Sequence, residues 1–281
     1  MTAEEDNHAD ELRWADEQCD KLAPSYDLSE ILKKVRAQTP ARLLAGRSGA
    51  AYRTNTQLEL RQAHAAARDA VRAELSLFTN PDDEFVRKWN LFEACSRVAS
   101  KDEYLLRPDL GRHLSEMSRA EVARRCIKGQ DLQVVIGDGL SVTAVVTQVP
   151  RLLQPLYEGA ITRGWSVGDA FVIRYCRVGI LNEIGELLRP KLVLLLIGER
   201  PGLATVESLS AYMAYQPKAS DTDANRNLIS NIHARGVSTE QAVRRILSLA
   251  ASMMNTRQSG CRLREELREE LSPSVWQSQK S

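Results

Sequence analysis

The sequence predicts an α/β fold: a parallel sheet flanked by helices, with a smaller, mostly helical N-terminal region. Three observations carry this. The apolar runs Leu132–Ile136, Phe171–Tyr175 and Leu192–Ile197 have strand length and composition. Helical stretches separate them, the order that folds as a parallel sheet with helices on its faces. The chain has 281 residues, 43% of them hydrophobic, enough to bury a sizeable core without disulfides or a structural metal.

Residues 1–36 are mostly charged, with Leu12, Trp14, Cys19, Leu22, Leu28, Ile31, Leu32 and Val35 scattered through them. A helix is expected over about 28–36, stopped at Thr39-Pro40 because the residue before Pro avoids the helical region. Arg42–Gly46 reads as a short extended piece, turned by Arg47-Ser48-Gly49. Thr56-Gln57-Leu58-Glu59 has the form of a capping box. Leu60, His64, Ala67, Val71 and Leu75 then fall on one helical face. Pro81-Asp82-Asp83 marks a turn, Glu84–Val98 a further helix, and Arg107–Arg112 a loop.

From residue 131 the texture changes. The first strand ends at Gly137-Asp138-Gly139-Leu140-Ser141, and a helix follows toward Leu153. The third strand ends at Gly198-Glu199-Arg200-Pro201-Gly202-Leu203. Ser238-Thr239-Glu240-Gln241 is a second capping box. The helix after it carries Val243, Ile246, Leu247, Ala250, Met253 and Met254, and Ser259-Gly260 closes it. Leu263, Leu267 and Leu271 recur every four residues in a charged tail. Three regions are expected: 1–100 mostly helical, 101–263 carrying the sheet, and 264–281 a charged tail.

Composition excludes several classes. Lys and Arg number 38 against 37 Asp and Glu, so a net charge of +1 gives no basic footprint for nucleic acid. Aromatic residues make up 5%, too few for an extensive base-stacking surface. Cys19, Cys95, Cys126, Cys176 and Cys261 are odd in number, far apart and never in a C-x-x-C pair. That excludes a zinc ribbon and suits reduced thiols in the cytoplasm. The acidic start has no apolar core, so no secretory signal is expected. Leu192–Ile197 is far shorter than the roughly 20 residues of a membrane helix.

Ligands of open α/β sheets bind beyond the carboxyl ends of the strands. The Gly137–Ser141 and Gly198–Leu203 loops occupy that position, each with Gly beside a carboxylate. Gly137-x-Gly139 begins a dinucleotide fingerprint, but Val142 stands where its third Gly belongs. There is no phosphate loop. Asn231-x-His233-x-x-Gly236 is similar to the D-x-H-x-x-G motif whose His takes the lower axial position of a corrinoid. Asn here replaces the Asp that would orient it, so His233 reads as a loop-fixing or packing residue. His64 reads as a core or interface histidine. Glu199, a carboxylate closing an all-apolar strand in a Gly-Glu-Arg-Pro-Gly turn, is the first candidate for a ligand contact; an ion pair with Arg200 or a capping role is the plain alternative. Arg177 and Val178, just past the second strand, open toward the same crevice, with edge packing as their alternative.

Further segments complete an ordered set over about residues 39–263. They are Thr39-Pro40-Ala41-Arg42, Gly46-Arg47-Ser48-Gly49, Tyr104-Leu105-x-Arg107-Pro108-Asp109-Leu110-Gly111-Arg112 and Asp138-Gly139-Leu140-Ser141. Tyr175-x-Arg177-Val178, Ile197–Leu203, Glu207-Ser208-Leu209-Ser210-Ala211-Tyr212, Ser230-Asn231-Ile232-His233 and Ser259-Gly260 follow. In this order they resemble the small (light) subunit of ethanolamine ammonia-lyase. Asp-Gly-Leu-Ser alone is a weak motif; Gly-Glu-Arg-Pro-Gly-Leu before Glu-Ser-Leu-Ser is specific.

The resemblance implies a Rossmann-like domain over 101–263 that covers adenosylcobalamin, and a 1–100 region that makes subunit contacts. The partner is the catalytic TIM-barrel large subunit, with several copies of both in the complex and neither nucleic acid nor membrane involved. The enzyme converts ethanolamine to acetaldehyde and ammonia by radical chemistry. This chain supplies no catalytic residue and is inactive alone. The corrinoid keeps its own dimethylbenzimidazole, so no axial ligand and no metal ligand come from this chain. Cofactor contacts carry over to Val178, Glu199 and Leu228, with Arg177 a further candidate. Leu228 departs from the family, where Cys can stand. Cys176 replaces a usual Gly and is expected to narrow the crevice slightly. The expected place is the cytoplasm, with enclosure in a bacterial microcompartment left open. The rival readings are a stand-alone nucleotide-binding enzyme of similar fold and a scaffold subunit with no ligand contact.

Overall fold

The computed structural model describes residues 28–39, 41–43, 45–76, 83–263 and 265. Expectations for the segment before Leu28, for Pro40, Leu44, Pro81 and Asp82, and for Leu267 and Leu271 lie outside these residues. The described residues divide into two compact units, one up to Arg53 and one from Thr54. The first holds α1 (Leu28–Gln38) and a small antiparallel pair, β1 (Arg47–Ser48) and β2 (Ala51–Tyr52). The Arg47 guanidinium lies over the Tyr52 ring, which closes that hairpin.

In the second unit a six-stranded sheet has the order β3-β5-β4-β6-β7-β8. Its strands are β3 (Glu93–Cys95), β4 (Leu132–Gly137), β5 (Val167–Arg174), β6 (Leu192–Gly198), β7 (Leu209–Tyr215) and β8 (Asn227–Ile232). β3, β5, β4 and β6 are parallel. β7 and β8 are added antiparallel. The α/β class therefore holds, and the sheet is mixed, with an antiparallel edge that the strand count from sequence lacked.

β4 and β6 are buried along their whole length, because helices cover both faces of the sheet there. On one face lie α6 (Val142–Thr162) and α8 (Thr239–Thr256), packed on Val134, Ile136, Leu194, Leu196, Ala211 and Met213. On the other lie α5 (Glu116–Arg125), which the short α4 (Lys101–Leu106) precedes, and α7 (Ile180–Leu188), packed on Val135, Phe171, Ile173, Val193, Leu195 and Ile197. On β8, Leu228 and Ser230 are exposed, so part of the second face is open near the sheet edge.

The capping box at Ser238 forms as expected: Gln241 N donates to Ser238 Oγ at 3.3 Å, and Ser238 N to Gln241 Oε1 at 3.3 Å. Two local expectations are corrected. Thr56 is not a cap, since α2 already begins at Thr54 (Thr54–Arg72) and Thr56 is buried within it. Glu84–Val98 is not one helix. A short α3 (Glu84–Lys88) stops where Asn90 takes a left-handed conformation, and residues 93–95 pair with β5 instead. Parallel pairing at a sheet edge outweighs the weak preference of so short a helix. His64 is exposed on α2 in this chain. Among the described residues no helix is long and apolar enough to cross a membrane.

Candidate functional site

The open part of the second face is built from alternate residues of three neighbouring strands. Side chains along a strand alternate between faces. Glu199 therefore continues the row Val193, Leu195, Ile197 one step beyond the end of β6. Opposite β6, Leu195 pairs with Tyr212 and Ile197 with Ser210, so both β7 residues share that face. Tyr212 pairs in turn with Leu228 on β8. Val178 packs against the same core from the chain just before α7. Val178, Glu199 and Leu228 thus lie on one face of the sheet. Leu228, an apolar side chain, is 44% exposed there.

The Glu199 carboxylate is held from three sides. Ser208 Oγ donates to Oε2 at 2.8 Å. Ser210 Oγ donates to Oε1, and the Asn231 backbone N–H donates to Oε1 at 3.1 Å. That last donor exists because β8 carries a register shift: Leu209 pairs with Ile232, but Ala211 pairs with Ile229. The extra residue releases one N–H from the ladder, as bulges do. Asn231 adopts φ 61° at this point, a left-handed conformation that Asn tolerates better than most residues. Glu199 is thus bound within the sheet and not paired to Arg200 in any described contact.

His233 supports that bulge. Its ring is buried, with Nε2 2.7 Å from Asn231 Oδ1 and Nδ1 accepting from Arg235 N at 3.3 Å. Both nitrogens are engaged in their own loop, in the neutral Nε2–H form. Burial, with Arg235 beside it, pulls the imidazole below its usual value of 6.5. For a base with a lowered folded value, this stability is present above about pH 6.5 and lost as the pH falls below it. Below pH 6.5, protection of the Arg235 amide against hydrogen exchange, corrected for intrinsic rate, should therefore drop. Protection that holds to pH 5 would contradict the neutral ring.

The segment that presents Val178 is fixed from behind. Tyr175 has φ 56° and turns the chain out of β5. Asp138 stands at the end of β4 with 1% exposure, and it accepts from Tyr175 N at 2.8 Å and Cys176 N at 2.9 Å. Burial pushes its carboxyl up to about 6, against the pull of these two bonds. This corrects the expectation for the Gly137–Ser141 loop. It does not line an open crevice. Its carboxylate points inward, and Leu140 N closes onto Gly198 O at 3.0 Å.

Arg177 also faces inward in its described contacts. Its guanidinium lies 4.2 Å over the Tyr104 ring, and Nη2 donates to Tyr104 O at 3.0 Å. Arg177 N donates to Gly111 O at 2.8 Å, and a Cβ on Gly111 would fall 2.6 Å from Arg177 Cγ. The Leu-Gly-Arg and Arg-Val-Gly segments are therefore one packed unit. Cys176 is fully buried against Gly137, so its thiol enters the core instead of narrowing a crevice; burial raises its pKa. Arg226, just before β8, donates to Asn182 Oδ1 on α7 at 3.0 Å. Among the described residues, no group of three His, Cys, Asp or Glu could hold a metal ion.

A family model described as "Ethanolamine ammonia-lyase light chain (EutC)" matches residues 29–264. The ethanolamine ammonia-lyase small subunit of Clostridium perfringens is 40% identical over 235 residues, covering 84% of this chain and 78% of the relative. That of Clostridium acetobutylicum is 37% identical over 246 residues, covering 87% and 99%.

Proposed function

The chain belongs to the ethanolamine ammonia-lyase light-chain family and is a small subunit of that lyase, and from this premise we propose that it covers adenosylcobalamin at the interface with a catalytic TIM-barrel large subunit. The complex, with several copies of both chains, converts ethanolamine to acetaldehyde and ammonia; this chain alone is inactive. The observation that carries the reading is the locked Glu199 carboxylate on the same open face as Val178 and Leu228.

The residues suit the cofactor. A corrin ring offers an apolar rim of methyl groups and carboxamides that donate N–H. Leu228 and Val178 supply apolar surface, and Glu199 supplies an acceptor whose direction is set before binding. The Leu for Cys departure keeps an apolar contact at residue 228 and forgoes any through sulfur. The chemistry that adenosylcobalamin supplies when bound is radical formation by homolysis of its cobalt–carbon bond. The chain's part is to bind and orient. Arg177 acts indirectly, holding the Val178 segment on Tyr104 and Gly111. Both His233 nitrogens are committed within their loop, which supports the reading that this chain would offer the corrinoid no axial ligand. α2 buries only Thr56 and Ala70 fully and leaves Leu58 exposed, which supports a role for the N-terminal region in subunit contacts. The proposed site of action is the cytoplasm.

Glu199→Ala in the assembled complex should weaken cobalamin binding by about tenfold or more, the range for losing a hydrogen bond to a charged group. Leu228→Asp should weaken it similarly, by placing a charge against apolar corrin surface. Equilibrium dialysis with cyanocobalamin reads both. Unchanged affinity in both variants would favour the scaffold reading.

A further inference from the structure

We infer that Ser208 and Ser210 are positioning residues, which fix the Glu199 carboxylate so that one acceptor site on Oε2 stays aimed at the ligand. This rests on the proposed placement of Glu199 at the cofactor. The Glu-Ser-Leu-Ser-Ala-Tyr segment is the part of the sequence pattern that the fold alone leaves unexplained. Its alternate residues Ser208, Ser210 and Tyr212 share the face of Glu199 and Leu228. The two serines are 8% and 2% exposed. A buried serine on a sheet can meet its hydrogen-bond need at many carbonyls. These two instead reach the two different oxygens of one carboxylate.

An ionised carboxylate has about four acceptor positions, two on each oxygen. Oε1 takes Ser210 and the Asn231 N–H, which fills it. Oε2 takes Ser208 alone. Among the described residues this leaves an acceptor position on Oε2, oriented by the bonds at the other three. The group it fits is a neutral N–H or O–H donor, as a corrin carboxamide carries. Tyr212, half-buried between this carboxylate and Leu228, forms the floor; burial, with Glu199 next in effect, raises its phenol pKa.

The experiment is a double-mutant cycle in the complex assembled with its large subunit, read by cyanocobalamin affinity. Ser210→Ala should weaken binding by about two- to tenfold, the range for one hydrogen bond. In a Glu199→Ala background the same change should have no further effect, since its target is gone. Ser208→Ala carries the same expectation. The thermal midpoint of each complex without cobalamin separates a folding defect from a positioning one. A Ser210→Ala loss that persists undiminished in the Glu199→Ala background, or no loss in either serine variant, overturns the inference alone. A Glu199→Ala complex that binds as tightly as the parent overturns both the inference and the placement of Glu199.

Discussion

Gly198→Ala is expected to destabilise the chain by about 3 kcal/mol or more, at the upper end for overpacking because both obstacles are main chain. A Cβ there would press on the Ser141 carbonyl, with Asp138 O at 2.8 Å. Neither group can swing aside. The Leu140 N–H donates to Gly198 O at 3.0 Å, and Ser141 Oγ donates to Val206 O at 2.5 Å. The loop after β4 and the loop after β6 thus close directly on each other, and any added atom must part them. Glu199 is the next residue, so the same strain would turn the carboxylate away from Ser208 and Ser210. Denaturant unfolding should show the loss of stability, and cobalamin affinity of the assembled complex should fall with it. A variant with parental stability would mean that the two loops are not held together as the hydrogen bonds indicate.

Asp138→Ala is expected to cost about 2–4 kcal/mol, since two buried N–H groups lose their acceptor at roughly 1–3 kcal/mol each. Part of that is offset, because the buried carboxylate is itself unfavourable when charged. Its pKa lies at about 6, raised from 3.8 chiefly by burial. Between about pH 4 and pH 6 the folded state holds the proton that the unfolded state has released, so the parent loses stability as the pH rises through that window. A rise of about two pKa units corresponds to about 3 kcal/mol across the window. The Ala variant lacks this slope. Its deficit against the parent should therefore be largest near pH 4 and shrink toward pH 7. Urea unfolding at several pH values measures it. A deficit that stays constant across the window would show that Asp138 does not titrate with a raised value.

What sequence reveals here depends on how far apart the interacting residues lie. β4 and β6 are legible because they are buried on both faces and so are apolar without interruption. β7 is not, since its apolar core residues Leu209, Ala211 and Met213 are interrupted by Ser210 and Tyr212, which face the site. β3 is three residues long and takes its conformation from pairing with β5. Within the site, Glu199 stands out as a carboxylate ending an apolar strand. Its holders do not, because Ser208, Ser210 and Asn231 reach it only through cross-strand register and a bulge. Asp138 and Glu199 illustrate the limit most clearly. Both follow a Gly at the end of a buried strand, and local sequence gives no reason to treat them differently. One turns inward to cap the Tyr175-Cys176 turn; the other lies on the open face with its acceptors fixed from below. The difference arises from the neighbours, since β5 lies beside Asp138 and the antiparallel β7 beside Glu199.

The most direct measurement is acetaldehyde release from ethanolamine by this chain mixed with its large subunit and adenosylcobalamin. The large subunit is first shown to be competent with the small subunit of Clostridium perfringens. The expected result is turnover with both chains and the cofactor present, and none when any of the three is left out. A competent large subunit that gains no activity from this chain would contradict the proposed role.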